Sequence, residues 1–416
     1  MWTEPPPPPA HTAPEPDISK EIDSIRRDLA EIRGERDRAW IDETRRMEIE
    51  RVVADMIADS DDRSFGSGRP WYEIASPDGS FTMGIDFYMQ STWAFNRTLD
   101  QTTEKGFEIE TVRLTFQGTI IDPTWSYQTR LTYLSDTPGF MQFAIIQKDL
   151  GDGAFVQMGL LEPLFTLEEA IDNNQQLGVY LSFLAGQWDC QSIPGVSLGW
   201  SSDDLRGWVS LTDAWGGEQN TFYRNQRQVI IARGEWKPYG DWNDLYDFNA
   251  YPESTIPGML VGFGASHGWG TTAIGTPEEY TGADTRLTAD VSLQRPGLGG
   301  MATISWQSNV PLEPLDGGGD RLAVVSQMGW FVDPQIVLYA RGEWGRAMNI
   351  DVEPNELALM TCGFSWMPRS NRQIKFSAEF VQTWGDARYW AIDGDPGIRQ
   401  VDERQSIVRA QLQLSF

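Results

Sequence analysis

Histidine and cysteine are almost missing from this chain, with two of each in 416 residues, and that shortage removes most metal and nucleophile chemistry. Cys190 and Cys362 lie too far apart for a metal motif, and two cysteines cannot build a disulfide framework. Basic residues are scarce as well: 33 Lys and Arg stand against 60 Asp and Glu, for a formal charge of -27. Nucleic acid is thereby excluded as a partner, since that affinity comes from cations displacing phosphate counterions. A basic helix lying on a membrane surface is excluded too. No apolar run approaches the roughly 20 residues of a spanning helix. Gly264-Ala265-Ser266-His267-Gly268 matches the G-x-S-x-G pattern, but a nucleophile elbow needs a strand-to-helix turn and a separate His base. Here Gly-rich sequence follows, and the other histidine, His11, lies in a proline tract. Asp393-Gly394-Asp395 lacks the Glu that closes a calcium loop. The expectation is a protein that is not an enzyme and carries no cofactor.

What the chain does have is 18 Trp and 40 Gly, arranged in three zones. Residues 1–17 are proline-rich, an extended or disordered tether. Trp2 and the proline run follow Met1 directly, so a mature chain with an initiator Met is expected. In the second zone, 18–66, Ile18, Ile22, Ile25, Leu29 and Ile32 alternate at spacings of four and three with charged residues between them, an a/d heptad seam. Ile at these positions favours three strands, and a seam this short needs a larger partner surface to trimerise. The other reading is a solvated helical hairpin packed on its own domain.

From residue 71 to Phe416 the period becomes two. Val112, Leu114 and Phe116 alternate with Arg113, Thr115 and Gln117, and across Ile-Asp-Pro-Thr the pattern resumes with Trp125, Tyr127, Leu131 and Tyr133 against Ser126, Gln128, Arg130 and Thr132. Such runs, about ten residues long and about sixteen in number, have the length of tilted membrane-spanning strands. Their connections alternate between short (at 121, 150, 332 and 368) and long (after His267, Asn309, Gly345 and Gly385), with 237–256 a long exception. Ala-Arg-Gly-Glu-Trp occurs at 232–236 and again at 340–344, each time setting Arg and Glu on the polar face and Trp on the apolar one. A soluble β-sandwich also alternates. It does not explain near-uniform strands, paired loop sizes and a last strand running flush to Phe416. An all-β, sixteen-stranded antiparallel transmembrane barrel, preceded by the α-helical coiled coil, does: the last strand pairs with the first and leaves no edge to fray.

Phe81 to Phe87, the 112–133 hairpin, Glu162-Pro163-Leu164-Phe165-Thr166-Leu167-Glu168-Glu169, Leu338-Tyr339-Ala340-Arg341 and the terminal strand together resemble the phosphate-selective porins of the O and P type. That resemblance implies a homotrimer in outer-membrane lipid of a Gram-negative-type bacterium, with a terminal Phe416 recognised by the barrel assembly machinery. The proline tether and coiled coil look like an added periplasmic module. It also implies that the connection after the fifth strand, 161–194, enters the lumen, bringing Glu162, Glu168, Glu169, Asp172 and Asp189 opposite a wall of Arg113, Arg130, Arg233, Arg286, Arg341, Lys375 and Arg409. Phosphate-selective members line the pore with cations. An acidic loop facing that wall leads instead to weak cation preference or near neutrality. Two functions remain open: a diffusion porin for small hydrophilic solutes and ions, or an anchor with a narrow or plugged barrel whose N-terminal module holds the membrane to peptidoglycan or other cell-wall material.

Overall fold

The computed structural model describes residues 72–78, 80–98, 104–134, 140–188, 192–213, 228–269, 283–311, 318–348, 356–368, 373–387 and 404–416, with a few short pieces between them. The tether, the heptad seam from Ile18 to Ile32, Asp189 and Asp393-Gly394-Asp395 lie outside the described residues.

Side chains on a strand alternate between its faces, and sixteen two-faced strands pair here in chain order. They are β1 Thr82–Thr98, β2 Glu104–Ile120, β3 Asp122–Leu134, β4 Phe140–Gly151, β5 Ala154–Leu161, β6 Ile193–Ser201, β7 Leu205–Asp213 and β8 Gln228–Tyr239 in the first half. The second half holds β9 Gly258–Trp269, β10 Asp284–Arg295, β11 Leu298–Pro311, β12 Gly318–Asp333, β13 Ile336–Met348, β14 Glu356–Trp366, β15 Ile374–Gly385 and β16 Gln405–Ser415. All neighbours are antiparallel, and β16 returns to β1 with Ser415 opposite Tyr88 and Gln405 opposite Thr98. The sheet closes on itself, so its backbone groups are satisfied without an edge. Phe416 finishes the seam: its N–H donates to Phe87 O at 2.9 Å and its carbonyl accepts from Phe87 N at 3.0 Å. The two rings stack with centroids 5.7 Å apart. Beyond it a four-residue strand, Tyr72–Ala75, continues the wall along Thr82–Ile85 of β1.

One rim carries tight turns and the other the long connections. The expected Ile-Asp-Pro-Thr turn is tighter than its sequence implies. Ile121 alone joins β2 to β3, at a φ of 69° that β-branched residues rarely adopt, and Asp122 already belongs to β3. The long exception on the tight-turn rim, 240–257, has a helical turn at Trp242–Leu245 capped by the Asp241 side chain. It buries Leu245, Phe248 and Ala250. Outside, Leu114, Leu131, Met158, Leu198, Phe263, Leu338 and Phe380 are exposed, and exposed Trp200, Trp236, Trp330 and Trp366 fall near strand ends at the tight-turn rim. An apolar belt bounded by aromatic residues is the outer surface a bilayer requires.

The inner face departs from simple alternation. Val229, Ile231, Leu260, Val325, Val337, Leu359, Val381 and Ile407 point inward and join Phe165, Leu167, Leu184 and Trp188 in one buried apolar cluster. This barrel has a core inside it. Runs such as Val229-Ile230-Ile231-Ala232 and Leu357-Ala358-Leu359-Met360 are apolar on both faces because one meets the outer surface and the other meets packed chain.

Candidate functional site: the barrel interior

The inner packing is supplied mainly by residues 162–192, between β5 and β6. Thr166 caps a helical turn, Leu167–Ala170, in a reciprocal box: its side chain accepts from Glu169 N, and the Glu169 carboxylate accepts from Thr166 N, both at 3.3 Å. With its backbone satisfied locally, the turn can sit in a dry interior, and Phe165, Leu167, Leu184 and Trp188 are all completely buried.

Both Ala-Arg-Gly-Glu-Trp copies grip this segment. In β8, Arg233 donates to both Asp290 oxygens at 2.8 and 2.9 Å, to Glu235 at 2.8 Å and to the Phe165 carbonyl at 2.9 Å. In β13, Arg341 pairs with Glu343 at 3.0 Å and donates to the Tyr180 carbonyl at 2.9 Å. Glu343 in turn accepts from Leu184 N at 2.8 Å. Glu168 stands 3.9 Å from Arg341 and accepts from Ser182 N at 2.8 Å. Glu379 accepts from Val179 N, Tyr339 Oη and Arg409 at 3.1, 2.8 and 3.2 Å. Lys375 donates to Gln176 O. Around the second copy two cations, Arg341 and Arg409, therefore stand among three carboxylates, Glu168, Glu343 and Glu379. Buried charge is tolerated when paired and hydrogen-bonded in this way.

The opposite arc differs. Nearly every inward residue from β8 to β16 is buried, whereas those of β2 to β5 are largely half-exposed. The register stacks the latter in tiers. Tyr88, Arg113 and Thr132 share one level, and Asp86, Thr115, Arg130 and Phe143 the next. Toward the tight-turn rim come Gly84, Gln117, Gln128, Ile145 and Gly159, then Thr119, Ser126, Gln147, Gln157 and Ser197. At the upper tiers Asp172 reaches from the inner segment to within 3.1 Å of Arg130 and 4.0 Å of Arg113, with its side chain 48% exposed. Glu162 accepts from Gln142 at 2.5 Å, and Glu110 accepts from Tyr180 Oη at 2.6 Å.

The acidic residues named from sequence thus occupy different environments. Asp172 and Glu162 are exposed, Glu168 is buried in the ionic cluster, and Glu169 serves the capping box. Among the cations, Arg113 and Arg130 border the half-exposed arc, Arg286 lies 3.4 Å from Asp284, and Arg233, Arg341, Lys375 and Arg409 are buried. Sequence reasoning missed Asp290, Glu343 and Glu379 as their partners, and missed Trp188 and Trp390, whose buried rings lie 6.4 Å apart. The doubly apolar strand runs carried the signal for a filled interior. Gly264 to Gly268 lies wholly within β9, Ser266 pointing inward and His267 stacking on Trp269 at 6.1 Å. It forms no strand-to-helix elbow. Cys190 is buried and Cys362 faces outward, and no disulfide joins them.

No protein-family model and no curated protein matches the chain. Solved structures do. The anion-selective porin of Comamonas acidovorans is 10% identical over 81% of this chain and 100% of its own, with a TM-score of 0.58. The outer-membrane channel DcaP of Acinetobacter baumannii is 11% identical over 82% and 99%, with a TM-score of 0.53. OmpT of Vibrio cholerae in its trimer form is 12% identical over 80% and 99%, with a TM-score of 0.52. At these identities the likeness is one of fold: the chain has the sixteen-stranded architecture of outer-membrane porins.

Proposed function

We propose that this protein is an outer-membrane porin whose water-filled passage is eccentric, running along β2 to β5 beside a packed interior. The observation that carries the reading is the contrast in water access between the two arcs: inward Gln117, Gln128, Gln147 and Gln157 are partly exposed and the Arg113 and Arg130 side chains keep 13% and 12% exposure, while inward residues of β16 from Gln405 to Ser415 are at most 4% exposed. Small hydrophilic solutes and ions would cross by passive diffusion. At the level where Asp172 reaches the wall, two guanidiniums, Arg113 and Arg130, face four carboxylates, Asp86, Glu110, Glu162 and Asp172, an excess that favours weak cation preference. The buried cations Arg233, Arg341, Lys375 and Arg409 are engaged with the inner segment, which argues against a high-affinity phosphate site despite the resemblance to phosphate-selective porins. A planar-bilayer recording of the full-length protein in a salt gradient tests the reading. A step conductance with a reversal potential near zero or slightly toward cations is expected, and its absence would refute a pore.

One observation favours the anchoring alternative, the apolar core inside the barrel. In that case the periplasmic module at 18–66 would hold the membrane to the cell wall, and it can do so in a conducting protein as well. The trimer expected from Ile18, Ile22, Ile25, Leu29 and Ile32 has support from the trimer form of the similar Vibrio protein.

A further inference from the structure

Toward the tight-turn rim from Asp86 and Arg130, two tiers line the wall with four glutamines, and Glu73 of the short Tyr72–Ala75 strand, opposite Gly84 in the register, is the charge that joins them. Gln128 Nε2 donates to Gln117 Oε1 at 3.2 Å, Gln117 Nε2 to Asp86 in the tier above at 3.1 Å, and Gln157 Nε2 to Gln147 Oε1 at 2.7 Å. An amide offers two donors and an oxygen with two lone pairs, so these bonds leave each carboxamide further capacity. They also fix its plane. The four glutamines border a cavity of about 360 Å³, with Glu73, Thr119, Ser126 and Ile145 in the same lining, a volume within the range of small-molecule sites. Gly84 and Gly159 sit in this wall with no side chains to narrow it.

Building on the porin reading, we propose that this amide belt is a binding track for uncharged, hydroxyl-rich solutes, a short saccharide being the class that fits. Small ions gain little from the amides, which replace a hydration shell poorly, while the Glu73 carboxylate repels anions and offers an acceptor to a solute hydroxyl. A sugar hydroxyl both donates and accepts, so it exchanges its bonds to water for bonds to pre-aligned amides nearly one for one. Ile145, between Gln128 and Gly159 in the register, offers an apolar patch to the C–H face of a sugar ring. The charged tiers with Asp172 filter first, and the amide belt then retains what is rich in hydroxyls.

The test is single-channel recording of the full-length protein in potassium chloride with maltotriose added, beside an ethylene glycol oligomer of similar size. Maltotriose should lower the mean current saturably and the glycol should not. The double variant Gln128→Leu, Gln157→Leu should still conduct, and its sugar effect, taken relative to its own sugar-free current, should weaken about tenfold, the loss of one or two hydrogen bonds to the solute. A wild-type pore that conducts yet ignores maltotriose, or a conducting variant with an undiminished sugar effect, overturns the track and leaves the porin standing. A wild-type protein that carries no current removes both.

Discussion

Removing the cation of the first clamp, by Arg233→Met, isolates what holds the inner segment in place. Arg233 and Glu235 have side chains with no exposure, and so does Asp290. Methionine fills much of the same volume but leaves two carboxylates buried side by side with no cation, and frees the Phe165 carbonyl. Breaking one partner of a buried pair costs about 3–5 kcal/mol, or a factor of roughly 10² to 4 × 10³ in the docking equilibrium of the segment. The sixteen-stranded ladder is untouched, so the barrel should still run as a heat-modifiable band on gels while the segment loosens. The expected signs are new protease cleavage within 162–192 and a larger, noisier single-channel current. Adding Glu235→Gln and Asp290→Asn neutralises the stranded carboxylates and should recover most of the wild-type behaviour, since replacing a whole buried ionic group is far milder than orphaning half of it. A single variant with unchanged proteolysis and current, or a triple variant no better than the single, would refute the clamp.

Asp172→Asn breaks the contacts to Arg130 and Arg113 at an exposed position, so the melting temperature should barely move, while the reversal potential in a potassium chloride gradient should shift toward anions as two guanidiniums lose their partner. Deleting Phe416 removes two backbone bonds and the stack on Phe87, a stack worth about 0.5–1.5 kcal/mol; the folded, heat-modifiable fraction should drop sharply, and an unchanged yield would count against a closing role. Deleting residues 1–66 should weaken a trimer without unfolding the barrel, as mass measurement in detergent would reveal, and a full-length monomer at micromolar concentration would end the trimer reading.

Local pattern alone determined a good deal. The period of two assigns each residue to a face, and the count of runs with alternating connection lengths made a closed even-numbered barrel the economical solution. The Thr166 and Glu169 spacing carried a capping-box signal that the reading of Glu169 as a lumen charge passed over. The doubly apolar runs in β8, β12, β13 and β14 were equally visible, but a face known to be apolar does not name what covers it. That was decided by contacts far apart in the chain: Phe165 on Arg233, Tyr180 on Arg341 and Gln176 on Lys375. Two identical pentapeptides became two clamps because the inner segment happens to pass both. The half-exposed arc is likewise a remainder, the part of the circumference that the segment does not reach. Alternation is a property of a strand and its immediate neighbours, so sequence carries it, whereas the side of a lumen that a loop fills is chosen by the sum of burial and charge pairing across the whole barrel.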